Sequence, residues 1–219
     1  MKYYKYKMKI VTLNVLAFIT MILALGFYYM IFKEYEMLDM FIIYFILWMF
    51  LHEIIHGLTF MSFKEVNAKN VVFGAKLESG IFYCMCKQPI SKKIIMCSLL
   101  SPLILIGIIT LIIAIIFDLK MLGLLSFLNI SGAVGDIVMT LMFLKLPKDI
   151  QYTDLDDCES FVVLTKENLE HKDYFGLKLV EYGNYTNDIV PKDFQRIKCS
   201  RTSMILLIII LALFILTLI

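Results

Sequence analysis

Four apolar stretches, at about 10–32, 40–61, 94–117 and 121–144, are each long enough to cross the roughly 30 Å hydrocarbon core of a bilayer as a helix. In lipid every backbone polar group must be satisfied inside the protein, so runs of this length fold as helices that pack on one another. With 60% hydrophobic residues, 18% charged residues and a mean hydropathy of +0.82, the composition excludes an ordinary soluble domain. A fifth stretch, 204–219, is polar only at Thr217. It falls short of the roughly 20 residues of a typical crossing and reads as a C-terminal hydrophobic helix, tilted or seated in a locally thinned bilayer.

Charge placement orients the helices. Lys2, Lys5, Lys7 and Lys9 precede the first span, which is too long for a signal peptide and has no small-residue cleavage site after it. If the N-terminus is cytoplasmic, so are the connection between the second and third spans and the segment after the fourth. Only Lys33 and Lys120 of the 21 basic residues then fall outside, as the positive-inside rule requires. The expectation is a multi-pass protein of a cell membrane, a bacterial plasma membrane, with its N-terminus in the cytoplasm.

The connections carry their own structure. Between 66 and 93, Val71-Val72-Phe73 and Ile81-Phe82-Tyr83-Cys84 are β-prone runs on either side of Glu78-Ser79-Gly80, which predicts a hairpin. Two readings stand: a plain connector, or a hairpin on the cytoplasmic membrane surface with an edge strand open to an extended peptide. The polar segment 147–203 carries an acidic patch at Asp154, Asp156, Asp157 and Glu159, which argues against nucleic-acid binding. Residues 159–164 read as a strand, and 174–180 as a short strand or helix. The five cysteines, Cys84, Cys86, Cys97, Cys158 and Cys199, lie in or next to a reducing compartment on this topology, so no disulfide framework is expected. Cys84-Met85-Cys86 is spaced too closely for a zinc knuckle and reads as two residues on one strand face.

Ser101-Pro102 predicts a kink in the third span, because proline removes a backbone donor. The fold class is thus an α-helical polytopic membrane protein: four spans and a C-terminal fifth, a cytoplasmic hairpin, and a small cytoplasmic α+β segment. Residues 1–146 form the membrane domain and 147–203 the cytoplasmic segment.

Chemistry is concentrated in His52-Glu53-Ile54-Ile55-His56, inside the second span. On a helix, histidines four apart share a face and can reach one Zn²⁺, with the glutamate beside the remaining coordination position. With three histidines in 219 residues, shuffling this composition yields the pattern about 0.002 times per chain, which bounds the false-positive risk of motif reading. Ionisable groups at this depth are costly and mark pairing or function. Asp136 lies in the fourth span after Asn129-Ile130-Ser131-Gly132-Ala133-Val134-Gly135, whose small residues favour close helix packing. Both spans run from outside to cytoplasm, so at 1.5 Å per residue Asp136 sits level with His52 and His56 and is the candidate third ligand. A hydrogen bond to the Asp136 carboxylate from Asn129 or from a serine on another helix is the non-metal reading. Asp118, Glu65, Glu78 and His171 are placed away from that level.

Through His52-Glu53-Ile54-Ile55-His56-Gly57 and Ser131-Gly132-Ala133-Val134-Gly135-Asp136, the sequence resembles a bacterial family of zincin peptidases. More distantly it is similar to the site-2 intramembrane metalloproteases. The resemblance covers about 41–164. It implies His52, His56 and Asp136 as zinc ligands and Glu53 as the catalytic base. Site-2 proteases carry a glycine after the aspartate, whereas here Gly135 precedes it. The expectation is a membrane-embedded zinc peptidase acting in the cytoplasmic half of the bilayer on a membrane protein or peptide, in contact with lipid. The alternative is a non-catalytic membrane scaffold that retains a zinc site. A metal transporter is disfavoured because one further intramembrane acid is too few to build a path.

Overall fold

The computed structural model describes residues 1–33, 38–76 and 81–185, of which 38–43, 76 and 81 are described by backbone alone. The stretch 204–219, Cys199 and the Glu78-Ser79-Gly80 turn lie outside the described residues. Three helices are long and apolar enough to cross a membrane: Ile10–Phe32, Tyr44–Met61 and Lys92–Ile116. A fourth candidate is a pair of shorter helices, α5 (Lys120–Gly132) and α6 (Val134–Lys145), bent by 46° at their junction. The fourth stretch is therefore broken at Ala133, where the run of small residues offers little side-chain packing to hold one straight helix.

Helix α1 (Ile10–Phe32) exposes Val11, Val15, Phe18 and Ile22 and buries Leu13, Ala24, Tyr28 and Phe32. Its outer face carries the apolar surface that lipid would cover. Its C-terminal end packs on α5, where the Phe32 ring would lie 2.5 Å from any Cβ added at Gly123. Helix α2 (Leu38–Met61) packs against α3 (Lys92–Pro102). The interruption expected at Ser101-Pro102 takes the form of a widened π-helical turn over Leu103–Ile109, which leads into α4 (Thr110–Ile116). Proline lacks the N–H that the regular ladder needs, and single π turns recur at functional sites.

Among the described residues the β-structure adjoins one end of this bundle. Strands β2 (Val71–Lys76) and β3 (Ile81–Cys86) form the expected antiparallel hairpin, beyond the last turn of α2. The second sheet has five antiparallel strands. They are β1 (Lys2–Met8), β4 (Ile90–Ser91), β5 (Gln151–Asp154), β6 (Ser160–Thr165) and β7 (Leu177–Asn184), in the order β4-β5-β6-β1-β7. The 159–164 run is thus a strand, and the strand alternative holds for most of 174–180.

The N-terminal lysines, read above as the charged flank of a span, belong to an interior strand of this sheet. Tyr4 and Tyr6 alternate with Lys5 and Lys7 and are buried to 1% and 0% exposure. The segment after residue 146 is too short to enclose much core alone. Strand β1 slots between β6 and β7 and brings those tyrosines into a core with Phe143, Phe161 and Tyr152. The same core takes in Ile95 and Leu99 of α3 and Met139 of α6, so sheet and bundle share one packed interior. The sheet thereby crosses the division expected at residue 146.

Candidate metal centre

Helix α2 projects His52, Glu53 and His56 near its sheet-proximal end. Small polar contacts lock that turn to α3: Thr59 Oγ1 donates to Ser101 Oγ at 2.8 Å, Ser101 Oγ to the Ser98 carbonyl at 2.8 Å, and Ser98 Oγ to the His56 carbonyl at 3.3 Å. Gly57, directly after His56, lies under the Phe73 ring of β2. A Cβ there would fall 2.1 Å from a ring carbon, so glycine lets the Phe73 ring lie directly on the motif helix.

The bend between α5 and α6 places Asp136 in the first turn of α6. Its Oδ2 lies 3.1 Å from His52 Nε2 and 3.5 Å from His56 Nε2, and the three donor atoms fall within 4.8 Å of one another. Zinc bound tetrahedrally at 2.0–2.1 Å would hold its ligand atoms roughly 3.3 Å apart, which the two separations between Asp136 and the histidines match.

The other ring nitrogens settle which lone pairs are on offer. Asn129 Nδ2 donates to the Pro102 carbonyl at 3.1 Å, which turns its Oδ1 toward His52 Nδ1 at 2.9 Å. An amide oxygen only accepts, so His52 Nδ1 carries the proton. His56 Nδ1 lies 2.8 Å from the Ser98 carbonyl and must also donate. In the neutral imidazoles both Nε2 lone pairs then face Asp136, the tautomer that metal-binding imidazoles adopt when a neighbouring acceptor holds the other nitrogen. The non-metal alternative paired Asn129 or a serine with Asp136; the structure gives Asn129 to His52. It stands seven residues before Asp136, two turns along the same stretch, and a polar residue so placed in an apolar span was the available signal. Replacing Asn129 with Ala should weaken zinc binding about 10–100-fold, measured by competition with a chelator of known affinity.

Hairpin and sheet complete the surroundings. Lys87 N–H bonds to the Asn70 carbonyl at 2.9 Å. That contact fixes the ladder so that the backbone groups of Phe82, Cys84 and Cys86 point away from β2. This edge of β3 faces the centre: the Cys84 N–H bonds to Glu53 and the Cys86 N–H to Asp154 Oδ2 at 2.8 Å. Cys84 and Cys86 are two positions apart on one strand, as expected, and neither is part of the histidine-aspartate group. Burial pushes both thiols up, Cys86 to about 12, so they stay protonated and poor as ligands. Among the described residues no cysteine is disulfide-bonded.

Asp154 on β5 is a residue that sequence reasoning left in an acidic patch. It accepts a short hydrogen bond from the Tyr152 hydroxyl as well as the Cys86 N–H, and it lines one cavity with Glu53, His56 and Asp136. Burial pushes its carboxyl up to about 6, against the Tyr152 hydroxyl, the Cys86 N–H and Lys87, which hold it down. The unfolded value is about 3.9, so the folded state binds the extra proton between about pH 4 and 6. Stability of the metal-free protein should therefore fall across that window as pH rises, by roughly 3 kcal/mol for a gap of about two units. Thermal midpoints in detergent should show this fall in wild type and a flatter profile in Asp154→Asn.

The remaining carboxylates and the third histidine lie elsewhere. His171 stacks on Tyr182 with ring centroids 3.7 Å apart, on the five-stranded sheet. Asp118 sits with positive φ in the turn before α5, and Glu65 follows the last turn of α2; Glu78 lies outside the described residues.

Residues 45–151 match the model of a family described as "Putative zincin peptidase". No curated protein and no solved structure matches the chain.

Proposed function

We propose that this chain, whose residues 45–151 match that family's model, is a membrane-embedded zinc peptidase. It would hydrolyse peptide bonds in the half of the bilayer nearest the sheets, which the lysine distribution assigns to the cytoplasm. The observation that carries the reading is the convergence of two Nε2 lone pairs on the Asp136 carboxylate, with Glu53 on the same helix between the histidines.

His52, His56 and Asp136 would hold the ion. Bound there, zinc would supply a Lewis acid that brings the pKa of a coordinated water toward neutrality. Glu53 accepts a proton from the attacking water as its oxygen bonds to the scissile carbonyl carbon, and returns it to the leaving nitrogen as the C–N bond breaks. The Cys84 N–H steadies the Glu53 carboxylate for that exchange. A helix hides its carbonyls, so the substrate has to be extended at the cut. On the β3 edge the Cys84 and Cys86 N–H groups are taken by Glu53 and Asp154, which leaves the backbone groups of Phe82 and the Cys84 carbonyl as the partners for an extended peptide. Of the two readings of the hairpin, this edge favours the substrate-facing one.

The test is cleavage of apolar membrane peptides by the pure protein in lipid nanodiscs. Turnover that a chelator abolishes and zinc restores is expected. Zinc binding without turnover on any peptide would instead leave the scaffold reading.

A further inference from the structure

The centre has a cavity on each side. The one toward the five-stranded sheet, about 180 Å³, is bordered by Asp154, Tyr152 and Cys84. The other, about 270 Å³, lies between α1, α2 and α5. It is walled by Leu13, Ala17, Phe45, Trp48, Leu128 and Gly132 and reaches His52, Glu53 and Asp136. The second is smaller than the roughly 300–1,000 Å³ of sites that enclose a whole drug-sized ligand, and it suits a side chain.

A further observation bears on that cavity. Gly132 and Gly135 both line it, and a Cβ added to either would meet no atom within 4 Å. Close helix packing, the reason expected for these small residues, does not account for that space: Gly132 is exposed and Gly135 half-buried, and both border the cavity that reaches the metal ligands.

We propose that this cavity is a side-chain subsite for the peptide. It takes a large apolar residue, such as leucine or phenylalanine, next to the scissile bond, with Gly132 and Gly135 setting its depth. This rests on the peptidase reading for its substrate class. The catalytic groups themselves are shared by both cavities, so the selectivity comes from the walls.

The probe is a series of peptide hydroxamates that carry hydrogen, isobutyl or benzyl at the position next to the zinc-binding group. Binding is measured by calorimetry to the full-length, zinc-loaded protein in nanodiscs. Wild type should favour benzyl and isobutyl over hydrogen by about 10–100-fold, the range set by burying one apolar side chain. Gly132→Leu should reduce that preference to within about twofold while retaining its zinc and its affinity for the hydrogen compound. Gly135→Ala, a smaller change, should reduce it partially. No binding to wild type, no preference in wild type, or a preference untouched in zinc-loaded Gly132→Leu would overturn the subsite. Preference without cleavage of any peptide would uphold the subsite and count against the peptidase reading, so the two fail separately.

Discussion

Glu53→Gln should keep about one zinc per chain and lose peptide turnover by about 10²–10⁴-fold, the usual contribution of a positioned general base. The amide is close in size to the carboxylate, and its oxygen can still accept the Cys84 N–H that Glu53 accepts now. The fold around it has no reason to move. What disappears is the ability to take a proton from water and return it to the leaving amine. Metal content by elemental analysis beside single-turnover cleavage separates the two effects. Full activity in zinc-loaded Glu53→Gln would sink the assigned role.

The second large effect is on the metal itself. Asp136→Ala should weaken zinc binding by more than the roughly 100-fold that loss of a supporting hydrogen bond costs, because it removes a donor atom outright. His56→Ala should do the same. In both variants Asn129 and Ser98 remain to hold the surrounding helices, so the hairpin and sheet should stay folded by circular dichroism. Stoichiometric zinc in Asp136→Ala would instead mean that another carboxylate completes the set. Asp154, which lines the same cavity as Glu53 and His56, is the next one to replace. Wild type without stoichiometric zinc would reduce the cluster to hydrogen-bonded side chains.

Some elements were legible from local pattern. Apolar runs gave three helices of spanning length, because length and hydropathy are properties of the segment alone. The β-branched and aromatic runs gave β2, β3 and β6. The N-terminal strand was missed because its lysines matched the flank of a membrane helix. Its alternating tyrosines acquire an inward face only once β6 and β7 lie on either side. The break at Ala133 was missed for a related reason: hydropathy is continuous through it, and the bend is a matter of packing.

The centre divides in the same way. The sequence alone determined that His52, Glu53 and His56 share one helical turn, since an i, i+4 spacing is a consequence of backbone geometry, and equal depth in two spans pointed to Asp136. Tertiary structure decided everything that depends on a second element: that Asn129 and the Ser98 carbonyl fix both imidazole tautomers, that β3 turns its edge toward Glu53, that Asp154 joins the cavity, and that Gly132 and Gly135 open onto space. A tautomer, an edge or a void is defined by the partner opposite, and in this fold those partners come from distant stretches of chain.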